Sequence, residues 1–217
     1  MSNKRHALNR TIPASAAAGH GNTRLGAFHD ALTRLSIGTL NLVRLTSVLP
    51  PGWSVHATSR MDEYVHRDSF SPGDLLYCVY IAAYSADDTT VSAAISWGRQ
   101  APSGHGFFAE ATGTYCEDAM RASQIIVREL LNDPAADVGA AAVEARPVET
   151  SRFSCALAIA MIGILPASTT TGWSRPSGFH STTIKRRIKE CGEQQSVILL
   201  NLSPTCPKAN DRNPGID

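Results

Sequence analysis

The sequence has almost no net charge. Its 20 Lys and Arg stand against 19 Asp and Glu, a formal +1, so no global field favours nucleic acid, a membrane surface or an acidic substrate. It is also short of organised cysteine. Cys78, Cys116, Cys155, Cys191 and Cys206 are an odd set with no CxxC pair and no Cys/His spacing suited to zinc, and they read as reduced cytosolic thiols. A secretory signal is lacking, because the basic start MSNKRHALNRTIP has no apolar stretch ahead of a cleavage site. The longest apolar run, Cys155 to Leu165, is far below the roughly 20 residues that cross a bilayer and belongs to a buried strand or helix. Generic catalytic signatures are missing too. There is no GxSxG elbow, P-loop, HExxH or dinucleotide fingerprint, and neither a metal nor a nucleotide cofactor is implied.

What is present is material for a core: 43% of the 217 residues are hydrophobic, enough for one domain. The small residues from Thr11 to Ala18 predict a strand that stops at the turn-forming cluster Gly19-His20-Gly21-Asn22. Behind Thr23, a suitable N-cap, Leu25, Phe28, Leu32 and Leu35 recur at helical spacing, with Gly38 beyond the end. Leu40 to Leu49, rich in branched residues, reads as one strand running into Pro50-Pro51-Gly52. Residues 75–84 and 90–97 read as a hairpin turned at Asp87-Asp88. A short strand over 106–113 precedes a helix over 117–131, with Met120, Ser123, Val127, Leu130 and Leu131 on one face. Residues 141–145 and 153–164 supply the last strands of a layered α+β domain.

The domain is expected over residues 11–165, behind a flexible 1–10. Residues 166–217 are polar and rich in Ser, Thr, Pro and Gly, the composition of a poorly ordered extension. Their basic cluster, Lys185-Arg186-Arg187-Lys189, reads as a solvated face.

A more specific signal lies in the order of several short stretches. Gly21-Asn22-Thr23-Arg24-Leu25-Gly26-Ala27-Phe28 is followed by IGTLNLVRLTSVLPP from Ile37 to Pro51. Pro72-Gly73-Asp74, Val91-Ser92-Ala93-Ala94-Ile95-Ser96 and Glu110-Ala111-Thr112-Gly113 come later. Together they resemble the pyruvoyl-dependent arginine decarboxylases. The resemblance implies that family's fold, an αββα sandwich of mainly antiparallel sheet with flanking helices. It also implies a proenzyme that cuts itself between Thr46 and Ser47.

The implied chemistry is coherent. Decarboxylating an α-amino acid leaves a carbanion that needs an electron sink conjugated to the amine. A ketone that forms a Schiff base supplies one, and proteins contain no ketone. By the resemblance, the Ser47 hydroxyl attacks the Thr46 carbonyl to give an ester. Elimination then leaves dehydroalanine, and hydrolysis leaves a covalent pyruvoyl group heading residues 47–217. A turn locked by Pro50-Pro51 suits the strained peptide this needs. Asn41 is matched to the family's active-site asparagine, which orients the scissile carbonyl or donates to the intermediate's oxygen; its other reading is a turn-capping amide. Glu110 is matched to the acid that reprotonates the α-carbon, kept protonated by an apolar pocket beside Phe107, Phe108 and Ala109. Leu25, Gly38 and Leu40 match positions lining the substrate pocket.

One position departs from the pattern. The family has Ala-Phe-Asp, whose aspartate pairs with the substrate guanidinium, and this chain has Ala27-Phe28-His29-Asp30. An imidazole cannot form the bidentate carboxylate pair, and Asp30 is rotated by about 100° around the helix. The leading reaction is that of a carboxy-lyase, arginine to agmatine plus carbon dioxide. A different amino-acid substrate and a non-catalytic homologous subunit stay open beside it. The resemblance also implies a cytoplasmic homo-oligomer, a trimer or dimer of trimers, with sites between neighbouring protomers and no nucleic-acid or membrane partner.

Overall fold

The computed structural model describes residues 10–65, 70–86, 89–100 and 104–166. The expectations for residues 1–9 and for the extension after Pro166 lie outside these. In chain order the described elements are β1 (Thr11–Gly21), α1 (Arg24–Arg34), β2 (Asn41–Arg44), β3 (Val48–Leu49), β4 (Ser54–Ala57), α2 (Asp62–Val65), β5 (Leu75–Ala86), β6 (Val91–Arg99), β7 (Gly106–Gly113), α3 (Cys116–Leu131), β8 (Val138–Ala145) and β9 (Phe153–Leu165). They form a five-stranded sheet ordered β2-β5-β9-β1-β4 and a four-stranded sheet ordered β3-β7-β6-β8. The fold is α+β. Pairing is antiparallel except for β1 with β4 and β2 with β5.

β9 shows how the layers are built. Cys155, Leu157, Ile159 and Met161 pack with Ala27, Ala31, Leu32 and Leu35 of the α1 region. The intervening Ala156, Ala158 and Ala160 face Ala93, Ile95 and Phe108 of the second sheet. The strand therefore alternates large and small with period two. Both faces are buried, which is why it reads as a continuous apolar run. Alanines on the inner face let the sheets approach closely, while each large side chain on the outer face contributes about 1.5–3 kcal/mol by burial. On the far side, Val127 and Leu131 of α3 pack on Ala109 of β7.

β1 continues through the glycines expected to end it. A Cβ on Gly19 would sit 2.2 Å from Ala27 O and 2.3 Å from Ala31 N, and one on Gly21 would sit 2.7 Å from Ala27 N. These glycines serve the close approach of α1 to the strand and not a turn. Thr23 does cap α1, its Oγ accepting the Gly26 N–H at 3.0 Å.

Three further expectations are corrected. Residues 40–49 are not one strand: β2 belongs to the first sheet and β3 to the second, because Leu45 to Ser47 step from one layer to the other. β5 and β6 are not a hairpin either. They lie in different sheets, and their apolar residues Val79, Ala93 and Ile95 meet in the layer between. A reversal signal does not say whether the returning strand pairs edge to edge or packs face to face. On α3, the buried positions are Ala119, Ser123, Val127 and Leu131, while Leu130 is exposed; the small Ala119, and not Met120 or Leu130, lets the helix sit close to its sheet.

Gly19→Ala is expected to destabilise the protein by about 3 kcal/mol or more, since backbone and not a movable side chain blocks the new methyl. Gly163→Ala has nothing within 4 Å of the added carbon and should stay within about 0.5 kcal/mol of the parent. Urea midpoints of the three proteins check this.

Candidate active site

The crossing between β2 and β3 is held at both ends by main chain. Leu45 N–H donates to Cys78 O at 2.9 Å, and Phe108 N–H donates to Ser47 O at 2.8 Å. Between them Val48 N–H donates to Thr46 O at 2.9 Å, a three-residue turn centred on Ser47. Beyond it the Arg99 guanidinium donates from both terminal nitrogens to Pro50 O, at 3.2 Å each, and from one of them to Gly104 O. The prolines therefore do not fix this turn alone; an arginine from β6 clamps it.

Ser47 and Glu110 meet here. Ser47 Oγ–H donates to Glu110 Oε2 at 2.9 Å, although 63 residues separate them in sequence. Glu110 stands on β7 opposite Ile95, with its side chain 14% exposed. Its other oxygen accepts from Arg44 Nη2 at 3.2 Å. The surroundings are thus not the wholly apolar pocket the neighbouring phenylalanines suggest, because a hydroxyl donor and a guanidinium occupy the two carboxylate oxygens. The Arg44 guanidinium carbon lies 5.5 Å from the Tyr80 ring centroid. Tyr80 in turn packs against Phe28 of α1, centroid to centroid at 6.1 Å. Arg44 is 59% exposed, so its ion pair is worth only about 0.2–1 kcal/mol to stability. What it fixes is geometry.

Taken together, a serine hydroxyl rests on a carboxylate that can take its proton, beside a carbonyl whose oxygen already accepts a main-chain N–H. That set suits attack of a hydroxyl on the preceding peptide bond. The family model of pyruvoyl-dependent arginine decarboxylase matches residues 11–164. The chain belongs to the pyruvoyl-dependent arginine decarboxylase family. A protein of that name from Thermococcus kodakarensis is 34% identical over 155 residues, 70% of this chain and 92% of that protein. Namesakes from Pyrococcus furiosus and Pyrococcus horikoshii are each 36% identical over 105 residues, 47% of this chain and 60% of each of theirs.

The other positions matched to the decarboxylase family lie on α1, on β2 and in the segment between them. Asn41 opens β2 and donates its side-chain amide to Gly73 O at 2.8 Å, while its main-chain N–H reaches Asp74 O at 2.8 Å; in this chain it caps the turn at Pro72-Gly73-Asp74. Leu40 is buried in the α1 layer. Gly38 lies against Thr33, whose Oγ would be 2.7 Å from an added Cβ. Leu25 and His29 are exposed on α1, Leu25 at 76%. No hydrogen bond joins Asn41, Leu25 or His29 to Ser47 or Glu110 among the described residues.

Asp30, the next residue along α1, is engaged within its own chain. It accepts the His20 N–H at 2.9 Å and Arg34 Nε at 3.0 Å, so α1 keeps an ordinary register and spends this carboxylate on the end of β1. Sequence reading passed over Arg44 and Arg99. Arg44 stood inside the matched motif, but the only signal for its partner was Glu110, far along the chain.

Partial burial pushes the Asp30 carboxyl up, yet the His20 amide and the Arg34 guanidinium outweigh it and hold Asp30 below its usual 3.8. A lowered folded value means the contribution is complete above pH 3.8 and lost as pH falls through the lower folded value. The stability difference between the parent and Asp30→Asn should therefore favour the parent at pH 7 and shrink towards pH 3, as read by urea denaturation at both values.

Proposed function

We propose that this protein is a self-processing decarboxylase that converts arginine to agmatine and carbon dioxide, with a pyruvoyl group made from Ser47. The observation that carries the reading is the Ser47 hydroxyl donating to Glu110 at 2.9 Å beside the Thr46 carbonyl. The residues present fit the group: its precursor serine is in place, a proton acceptor touches it, and Val48 N–H polarises the carbonyl to be attacked.

In self-processing, Ser47 Oγ gives its proton to Glu110 as it bonds to the Thr46 carbonyl carbon. The Thr46–Ser47 C–N bond then breaks, and the freed nitrogen takes up a proton, leaving an ester. Loss of the Ser47 Cα proton breaks the Cβ–O bond and releases Thr46 as a carboxylate. Water then displaces ammonia from the unsaturated residue. In the mature protein the pyruvoyl group supplies the electron sink for decarboxylation. Glu110 stands beside that position and returns a proton to the α-carbon, a contribution of about 10²–10⁴ in rate.

The domain of this reading spans residues 11–165, and the two sheets with α1 and α3 outside them agree with the αββα fold of such enzymes. Leu25 at 76% and Val48 at 54% exposure are apolar positions that a neighbouring protomer would cover, which supports a trimer or a dimer of trimers. Arginine enters as the substrate through the family, and His29 as a pocket residue in place of an aspartate. Cys78, Cys116 and Cys155 are free thiols, in keeping with a cytoplasmic protein.

Intact-mass measurement tests the reading first. Purified full-length protein should give two pieces, residues 1–46 and 47–217, with a carbonyl-reactive probe on the larger. Ser47→Ala should give one unlabelled chain of 23.2 kDa. Agmatine should form from arginine only with the cut protein. An uncut parent chain would instead identify a non-catalytic relative.

A further inference from the structure

We infer that Arg44 is a positioning residue for self-cleavage, holding the Glu110 carboxylate so that Oε2 faces the Ser47 hydroxyl. The inference rests on the reading of Ser47 as the cleavage nucleophile and adds a residue that reading does not require. Three observations converge on it. Arg44 Nη2 takes Glu110 Oε1 at 3.2 Å while Ser47 takes Oε2 at 2.9 Å, so the two donors fix both the position and the rotation of one carboxylate. Arg44 is itself held, with its guanidinium lying over Tyr80 at 5.5 Å and Tyr80 packed on Phe28 at 6.1 Å. The pair also joins the two sheets, since Arg44 closes β2 in one and Glu110 sits in β7 of the other. Among the described residues, the bond from Ser47 is the only other side-chain hydrogen bond to the Glu110 carboxylate.

A merely structural arginine is a poor account of this arrangement. The side chain is 59% exposed, and such ion pairs add little to stability. Aim matters far more than strength here, because a displacement of about 1 Å between reacting groups can cost about 100-fold in rate. Planarity matters as well. A guanidinium can sit over Tyr80 and still direct an N–H at a carboxylate oxygen, whereas an ammonium offers a point charge without that constraint.

The test follows the appearance of the two fragments as full-length, still uncut chain recovered from inclusion bodies is refolded, for the parent, Arg44→Met, Arg44→Lys, Glu110→Gln and the Arg44→Met/Glu110→Gln double variant. Thermal melting of each variant is recorded alongside. Arg44→Met should cleave at least about tenfold more slowly than the parent with a nearly unchanged melting temperature. Arg44→Lys should recover part of the rate, and added guanidinium at millimolar concentration should partly rescue Arg44→Met. In the Glu110→Gln background, losing Arg44 should slow cleavage no further, because the arginine acts through that carboxylate. Parent-like cleavage by Arg44→Met would overturn the inference, as would an equal slowing with and without Glu110. If Arg44→Met does not refold, the comparison of Arg44→Lys in both Glu110 backgrounds decides by the same criterion. A parent chain that never cuts would overturn the reading of Ser47 itself, which separates that failure from a failure of Arg44 alone.

Discussion

Two main-chain hydrogen bonds, Leu45 N–H to Cys78 O and Phe108 N–H to Ser47 O, set where the chain leaves one sheet and enters the other. Stacked sheets lie about 10 Å apart, and the four Cα steps from Arg44 to Val48 reach about 14 Å when fully stretched. The bend at Ser47 consumes much of the difference, leaving the segment little slack. A serine in a long loop would sample many positions and rarely meet one particular carboxylate. This serine is delivered to Glu110 by the same connection that links the layers. The site is a consequence of the topology, and the strands on either side serve as its mounts.

Signals confined to one stretch of chain were legible. Thr23 followed by apolar residues at helical spacing marked α1, and the order of motifs singled out Ser47 and Glu110, which a hydrogen bond joins in the fold. What stayed hidden depends on partners remote in sequence. Whether β5 and β6 pair or face one another is decided by which sheet each joins. The role of Gly19 is decided by an α1 backbone that a linear reading cannot place against it. Asn41 is similar: its residue type suits an oxyanion donor, and its partner in the fold, the Gly73 carbonyl, lies 32 residues on. Arg44 is the strongest case, since both things that give it meaning, Tyr80 and Glu110, lie far along the chain.

Charge is sparing overall and local where it occurs. Two arginines lie over tyrosines on one flank of the first sheet, Arg44 over Tyr80 and Arg24 over Tyr84. Burial, with smaller contributions from Cys155 and Tyr80, pushes the Tyr84 hydroxyl up to about 12 against the opposing influence of Arg24. Cys78, on β5 opposite Arg44 of β2, is likewise pushed up to about 12 by burial, although Arg44 acts against it. Cys78 and Tyr84 are therefore uncharged at physiological pH, and among the described residues the Arg44–Glu110 ion pair bears directly on Ser47.

The position of β1 has a consequence for the protein after cutting. Everything before Ser47, namely β1, α1 and β2, would become a separate polypeptide, yet β1 lies inside its sheet between β9 and β4 and pairs with β9 from Ala14 to Gly21. The smaller piece could not drift away as a released peptide does. Its departure would strip the central strand of a partner and uncover the Leu157–Ile159 layer beneath α1. Separation of the pieces and unfolding of the domain would then be a single event, and the cut molecule would behave as a non-covalent heterodimer whose stability depends on concentration.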